Sequence, residues 1–371
     1  MNIGTMHKGH YDRWLLGAIL TLLVTSVVMV YSSSSIVALT TYDDAAFFMK
    51  RQVLWALVGL AAMAITMRVD HDRFRDRRIV IGLIVLSLAL LAATLVPGIG
   101  REINGSRRWL RLGMLSFQPS ELAKFSLVVY MSYFIAKQGA RLRDFKHGLL
   151  PAYVVTALFL VFTIRQPDFG ATMTMAGVAA ILLFAGGANV LHLAGTAAAA
   201  LPLVYIAVAH KAYRLRRIVA FLDPWSDPQG AGHQIIQSFL AFGSGGVLGR
   251  GLGEGRQKLF FLPERHSDFI YAVIGEELGL LGALAVLAVF LFILARGVRI
   301  AYRADDPFTR MLALGLTLLV CLQAMINMAV VTGLLPTKGI ALPLVSYGGS
   351  SLVITMAALG VLLSISRETG S

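Results

Sequence analysis

Ten apolar runs, each long enough to cross a bilayer, leave this chain very few folds. They lie at about 14–34, 52–68, 79–96, 117–136, 148–165, 169–187, 190–209, 268–296, 310–333 and 343–366. Hydrocarbon holds no water to satisfy backbone N–H and C=O groups, so a spanning chain is either helical or a closed barrel. These runs are continuous rather than alternating, which selects helices. Only 14% of residues are charged, against roughly 25% in a soluble domain. The expected fold is an all-α polytopic membrane protein with about ten transmembrane helices. It forms one integral membrane domain over 1–371, with a large external loop, 210–267, between the seventh and eighth spans. The basic start (Lys8, Arg13) leads into an apolar run longer than the ~7–15 residues of a signal-peptide core, so the first helix is expected to be uncleaved. The sixth and seventh runs meet at Gly186-Gly187, so short a turn that a helical hairpin is expected.

The formal charge of +13 would raise nucleic acid as a partner in a soluble protein. Here the basic residues sit in loops between spans, so no nucleic-acid partner is expected, and the charges speak to topology and anionic lipid. With the N-terminus inside, sixteen Lys and Arg fall inside and sixteen outside. Long loops translocate largely regardless of charge, and without 210–267 the outer count falls to eight. Both termini are therefore expected in the cytoplasm. The outer face stays basic, and an anionic ligand there would account for it. The single cysteine, Cys321, lies in an apolar run, which excludes an intramolecular disulfide and a cysteine-built metal site.

Ionisable groups at a membrane edge are costly and point to function. The stretch 258–280 sets Glu264, Arg265, His266 and Asp268 against the start of an apolar run that also carries Glu276 and Glu277. The latter two are expected about two and a half turns deeper, pairing structurally or lining a cavity. Gln118-Pro119-Ser120-Glu121 reads as a helix start. Glu121 and Lys124 then share a face, either as a functional pair or as a helix lock. Asp168, in a tight turn, is expected to cap the sixth helix. In the external loop, Arg214 and Arg217 stand one turn apart, a spacing that suits a phosphate clamp. The Gly-rich 243–255 reads as an anion cradle, a moving lid or a solvated linker. No zinc signature and no Gly-x-Ser-x-Gly nucleophile motif stands at a suitable place, which leaves acid–base work by a carboxylate. Asp268 is the best placed. His266, two residues away, either binds substrate or is exposed on the surface.

Several segments together carry a resemblance: NGSRRWLRLG with FQPSELAK, QPDFGAT, RRIVAFLDPWSDPQGAGHQIIQSFLAFGSGGVLGRGLG, QKLFFLPERHSDFIYAVIGEELG and TGLLPTKGIALPLVSYGGSS. The chain resembles the SEDS family (shape, elongation, division and sporulation), and its division branch more than its rod-elongation branch. Thr337-Lys338-Gly339 and Gln257-Lys258-Leu259 carry that distinction. Arg265 and His233 depart from the family pattern, where Ala and Tyr are common. The resemblance implies a glycosyltransferase that polymerises lipid II into peptidoglycan on the outer face of the bacterial cytoplasmic membrane. It also implies work with a class B penicillin-binding protein and other division membrane proteins. By motif, the family's essential aspartate falls on Asp268 and its fourth-span pair on Glu121 and Lys124. Its external arginines fall on Arg51, Arg108, Arg214 and Arg217. Lys338 and His266 join the expected substrate contacts. A divalent cation, Mg or Mn, would suit the chemistry, but the sequence shows no ligand set for it. Two other functions fit the same residues: a lipid II flippase, suggested by the intramembrane Glu121 and Lys124, and a non-catalytic division scaffold.

Overall fold

The computed structural model describes residues 10–103, 106–112, 115–209, 212–230, 232–255, 266–337 and 339–370. The first helices are α1 (Arg13–Tyr42), α2 (Phe47–Thr66) and α3 (Arg77–Leu95). After them come α4 (Pro119–Gln138), α5 (Leu150–Arg165), α6 (Phe169–Ala185) and α7 (Val190–Ala209). The chain ends with α11 (Gly279–Arg303), α12 (Pro307–Val331) and α13 (Gly349–Glu368). Among the described residues, seven helices are long and apolar enough to cross a membrane, and α6 and the Val190–Pro202 part of α7 are shorter apolar helices. With α4, which carries Glu121 and Lys124, they make the ten expected spans.

α12 packs on α4, α6, α11 and α13, and α13 packs along α2. Leu127 and Met131 of α4, Leu312 and Leu316 of α12, and Leu359 and Leu362 of α13 are fully enclosed. One end of the bundle is tied at Asp12. Its carboxylate accepts from the N–H groups of Trp14 and Leu15, capping α1, and pairs with Arg296 of α11 at 2.6 Å. Its own N–H donates to Ser366 Oγ of α13. The candidate residues gather at the opposite end.

Four features differ from the sequence reading. The connection from α3 to α4 is an antiparallel sheet of β1 (Gly100–Ile103), β2 (Ser106–Leu112) and β3 (Leu115–Phe117), with Gly100 opposite Leu110 and Leu110 opposite Phe117. The loop 210–267 contains α8 (Ala212–Leu222) and α9 (His233–Gly245).

The third difference is that the eighth apolar run is two helices. α10 (Ile270–Glu277) ends at Leu278, and α11 starts at Gly279, whose φ of 69° places it in the left-handed region that glycine tolerates. α11 alone has 25 residues, about 37 Å, enough for a hydrocarbon core of ~30 Å. α10 is therefore not part of the crossing, and Glu276 and Glu277 do not lie deep in a span. They sit at the break, both fully buried, with Glu277 accepting from Ser32 Oγ of α1 at 2.6 Å. The Gly-rich stretch is pinned to the same break by its backbone, although most of its residues stay exposed. Arg250 and Gly251 N–H donate to the Glu276 and Glu277 carbonyls, and Leu280 and Leu281 N–H donate to those of Gly246 and Val247. A Cβ at Gly245 would collide with the Gly275 carbonyl, so only glycine admits this approach.

Fourth, the last run becomes helical only at Gly349, and the described residues of 332–348 cross the end of the bundle without regular structure. Irregular backbone is tolerated near membrane depth where protein encloses it, and Ile340, Leu342, Leu344 and Val345 are buried.

Candidate active site

Asp268 lies in the turn that leads into α10. Three successive carbonyls of that turn are held by three different groups. The Tyr347 N–H donates to His266 O at 2.9 Å, Ser346 Oγ to Ser267 O at 2.5 Å, and Asn327 Nδ2 to Asp268 O at 2.8 Å. A turn with this many backbone partners holds its side chain in a narrow range of positions.

The carboxylate faces Gly339. A methyl group on Gly339 would stand 3.0 Å from Asp268 Oδ2 and 3.8 Å from each terminal nitrogen of Arg108. Arg108 comes from β2 and is half-buried. The sheet missed in the sequence therefore delivers a guanidinium to the same small space as the carboxylate. Glycine at 339 leaves that space open.

Lys124 and Glu121 form a 2.9 Å ion pair inside the bundle, 3% and 7% exposed. Lys124 Nζ also donates to Gln323 Oε1, and Gln323 Nε2 donates to Ala341 O at 3.0 Å. Pro119 begins α4 as expected. Asp168 caps α6 through the Ala171 N–H at 3.1 Å. It also accepts from Ser120 Oγ and Gln118 Nε2, tying the starts of α4 and α6 together.

Arg51 is exposed and lies 4.4 Å over the Phe47 ring. Burial pushes the Tyr347 phenol above its ordinary range, while Arg51 acts the other way. His266 is not exposed as the plainer expectation had it. Its ring is half-buried against Phe48 at 4.9 Å and Tyr347 at 5.7 Å. Arg217 of α8 donates to Thr337 O at 3.4 Å. Lys338, Arg265 and the Arg214 side chain lie outside the described residues.

The irregular segment 337–347 joins these contacts. Arg217 reaches it at Thr337, Asp268 and Arg108 at Gly339, Lys124 through Gln323 at Ala341, and Arg51 and His266 at Tyr347. Sequence reading missed this role, and it missed Gln323 and Asn327. Their signal was there: two amides four residues apart in an otherwise apolar helix. As for a metal, the described groups that border the space at Gly339 are one carboxylate, Asp268, and one guanidinium, Arg108, which do not make a protein-built cation cage. The described group with ligand-like spacing, Asp70, His71 and Glu368, is at the opposite, Asp12 end.

The family model for the cell cycle proteins FtsW, RodA and SpoVE matches residues 13–371. A protein of Geobacter metallireducens named probable peptidoglycan glycosyltransferase FtsW is 48% identical over 358 residues, 96% of this chain and 95% of its own length. Stage V sporulation protein E of Bacillus subtilis is 42% identical over 364 residues, 98% of this chain and 99% of its own. A solved structure from work on how a peptidoglycan synthase complex coordinates polymerization and crosslinking superposes with a TM-score of 0.79. It is 30% identical, and the match covers 97% of this chain and 98% of that one.

Proposed function

The chain belongs to the FtsW/RodA/SpoVE family of cell cycle proteins, and from that premise we propose that it is a peptidoglycan glycosyltransferase that polymerises lipid II at the outer face of the cytoplasmic membrane, with Asp268 as general base. The observation that carries the reading is the space at Gly339, where a methyl group would stand 3.0 Å from the Asp268 carboxylate and 3.8 Å from both terminal nitrogens of Arg108.

Both donor and acceptor hang from polyprenyl chains, so the reaction takes place where a membrane-embedded lipid meets water. The acceptor sugar 4-hydroxyl gives its proton to Asp268 as its oxygen bonds to the anomeric carbon of the donor. Attack comes from the side opposite the leaving group, so the configuration inverts. The bond to pyrophosphate breaks, and its electron pair departs on undecaprenyl pyrophosphate. Negative charge grows there, and a fixed cation near the reacting centre stabilises it without having to reorganise. Arg108 is that cation. Arg217, held at Thr337, adds a second cation, and Lys338 and Arg214 are candidates for the same role from the sequence alone. Arg51 supports the Tyr347 wall.

The orientation that fits this chemistry puts the Asp12 end in the cytoplasm, where Arg296, Arg299, Arg303 and Arg367 gather. The Asp268 end then faces outward. A class B penicillin-binding protein is the crosslinking partner this reading calls for, and other division membrane proteins would assemble around the pair. The structural match to a peptidoglycan synthase complex supports the first of these.

Purified protein, with and without its penicillin-binding partner, should convert lipid II into glycan chains in detergent, where no leaflets exist. A flippase has nothing to transport there and a scaffold nothing to catalyse. Lipid II left unpolymerised under every partner condition would overturn the glycosyltransferase reading.

A further inference from the structure

Asn327 takes no part in the reaction as described, yet it sits where an apolar side chain would fit. It is 1% exposed on α12, and Ile326, Val330 and Ile340 form a small apolar cluster around its turn. Its Oδ1 is buried without a hydrogen-bond partner. An unsatisfied buried acceptor is costly, so leucine would serve packing better than this amide does. What leucine lacks is the amide's two hydrogens.

Both of them are used. Nδ2 donates to Asp268 O at 2.8 Å and to Ile340 O at 2.6 Å. One planar NH2 group thus ties the turn bearing the carboxylate to the irregular segment bearing Gly339. Those are two of the walls between which Asp268 and Arg108 meet. One helical turn away, Gln323 makes the parallel link from Lys124 to Ala341. α12 therefore holds segment 337–347 at two adjacent rungs, and only the Asn327 rung also reaches Asp268.

We propose that Asn327 is a positioning residue for the glycosyl transfer, setting the separation between the Asp268 carboxylate and the Gly339–Arg108 wall through its paired amide donors. This rests on the reading of Asp268 as the base. A residue of this kind acts on the reacting geometry more than on the hold on substrate. Misplacement by ~1 Å costs on the order of 100-fold in rate.

The test uses the full-length protein in detergent with its partner and lipid II, comparing Asn327→Leu, Asn327→Gln and Asp268→Asn. Asn327→Leu should lower kcat by roughly 10- to 100-fold. Its KM for lipid II should stay within about 3-fold and its thermal unfolding midpoint at or above that of the parent. Asn327→Gln keeps the two donors on a longer arm and should recover part of kcat. If the leucine variant does not fold, Asn327→Ala carries the same comparison. Full kcat in Asn327→Leu, or a loss that only tracks lowered stability or raised KM, overturns the inference. Asp268→Asn separates the two ideas. If it polymerises at the parent rate, the base assignment falls. If it is inactive while Asn327→Leu is fully active, only the positioning role falls.

Discussion

Asp268→Asn should lower kcat for lipid II polymerisation by on the order of 100- to 10,000-fold, the range that a positioned general base contributes. The substitution keeps the shape of the side chain and takes away its basicity. The fold should tolerate it, because the hydrogen bonds that hold this turn go to backbone carbonyls. Tyr347, Ser346 and Asn327 bind the oxygens of His266, Ser267 and Asp268 whatever side chain follows. Unfolding temperature and capture of the penicillin-binding partner should therefore match the parent, and only chain formation should be lost. Initial rates at saturating lipid II, set beside a thermal melt, check this. A parent-like rate would mean that the proton goes elsewhere.

Lys124→Met should have the largest effect on stability. Lys124 and Glu121 are buried together at 2.9 Å. Removing the cation leaves a carboxylate inside the bundle, facing a Gln323 oxygen that has lost its donor. Breaking one side of a buried pair costs roughly 3–5 kcal/mol, whereas replacing both sides is often nearly neutral. The double variant Lys124→Met with Glu121→Gln should therefore recover much of the loss. Polymerisation rates then decide between the two roles left open for this pair. A double variant that is stable but inactive assigns the pair to substrate handling. One that is both stable and active assigns it to locking α4 against α12.

The parts of the molecule that were legible in the sequence are those in which a run of residues carries its own signal. Ten apolar runs gave ten spans, because hydropathy reports directly on transfer into hydrocarbon. Pro119 and Asp168 announced helix starts through local backbone chemistry. Asp268 stood out because a charge at a membrane edge is expensive. Hydropathy records how far a segment avoids water and says little about where it turns. The run from 268 to 296 thus looked like one helix, although Gly279 breaks it and sends α11 across alone. The sheet over 100–117 was hidden for another reason. Its strands are three to seven residues long and interleave Arg107, Arg108 and Arg111 with Trp109 and Leu110. A strand that short gains its stability from pairing, which no local pattern reveals. Segment 337–347 is the extreme case. Its described residues have no regular structure, and its shape comes from Gln323, Asn327, Ser346 and Arg217, whose partners are up to 120 residues away.

Asp268 and Arg108 both border the space at Gly339, and the reacting bond is proposed to lie there. The most direct measurement is a structure of the Asp268→Asn variant with lipid II bound. The pyrophosphate should lie against Arg108, with the sugar carbon that bears it turned toward residue 268. A pyrophosphate held away from Arg108, with residue 268 facing no sugar, would contradict it.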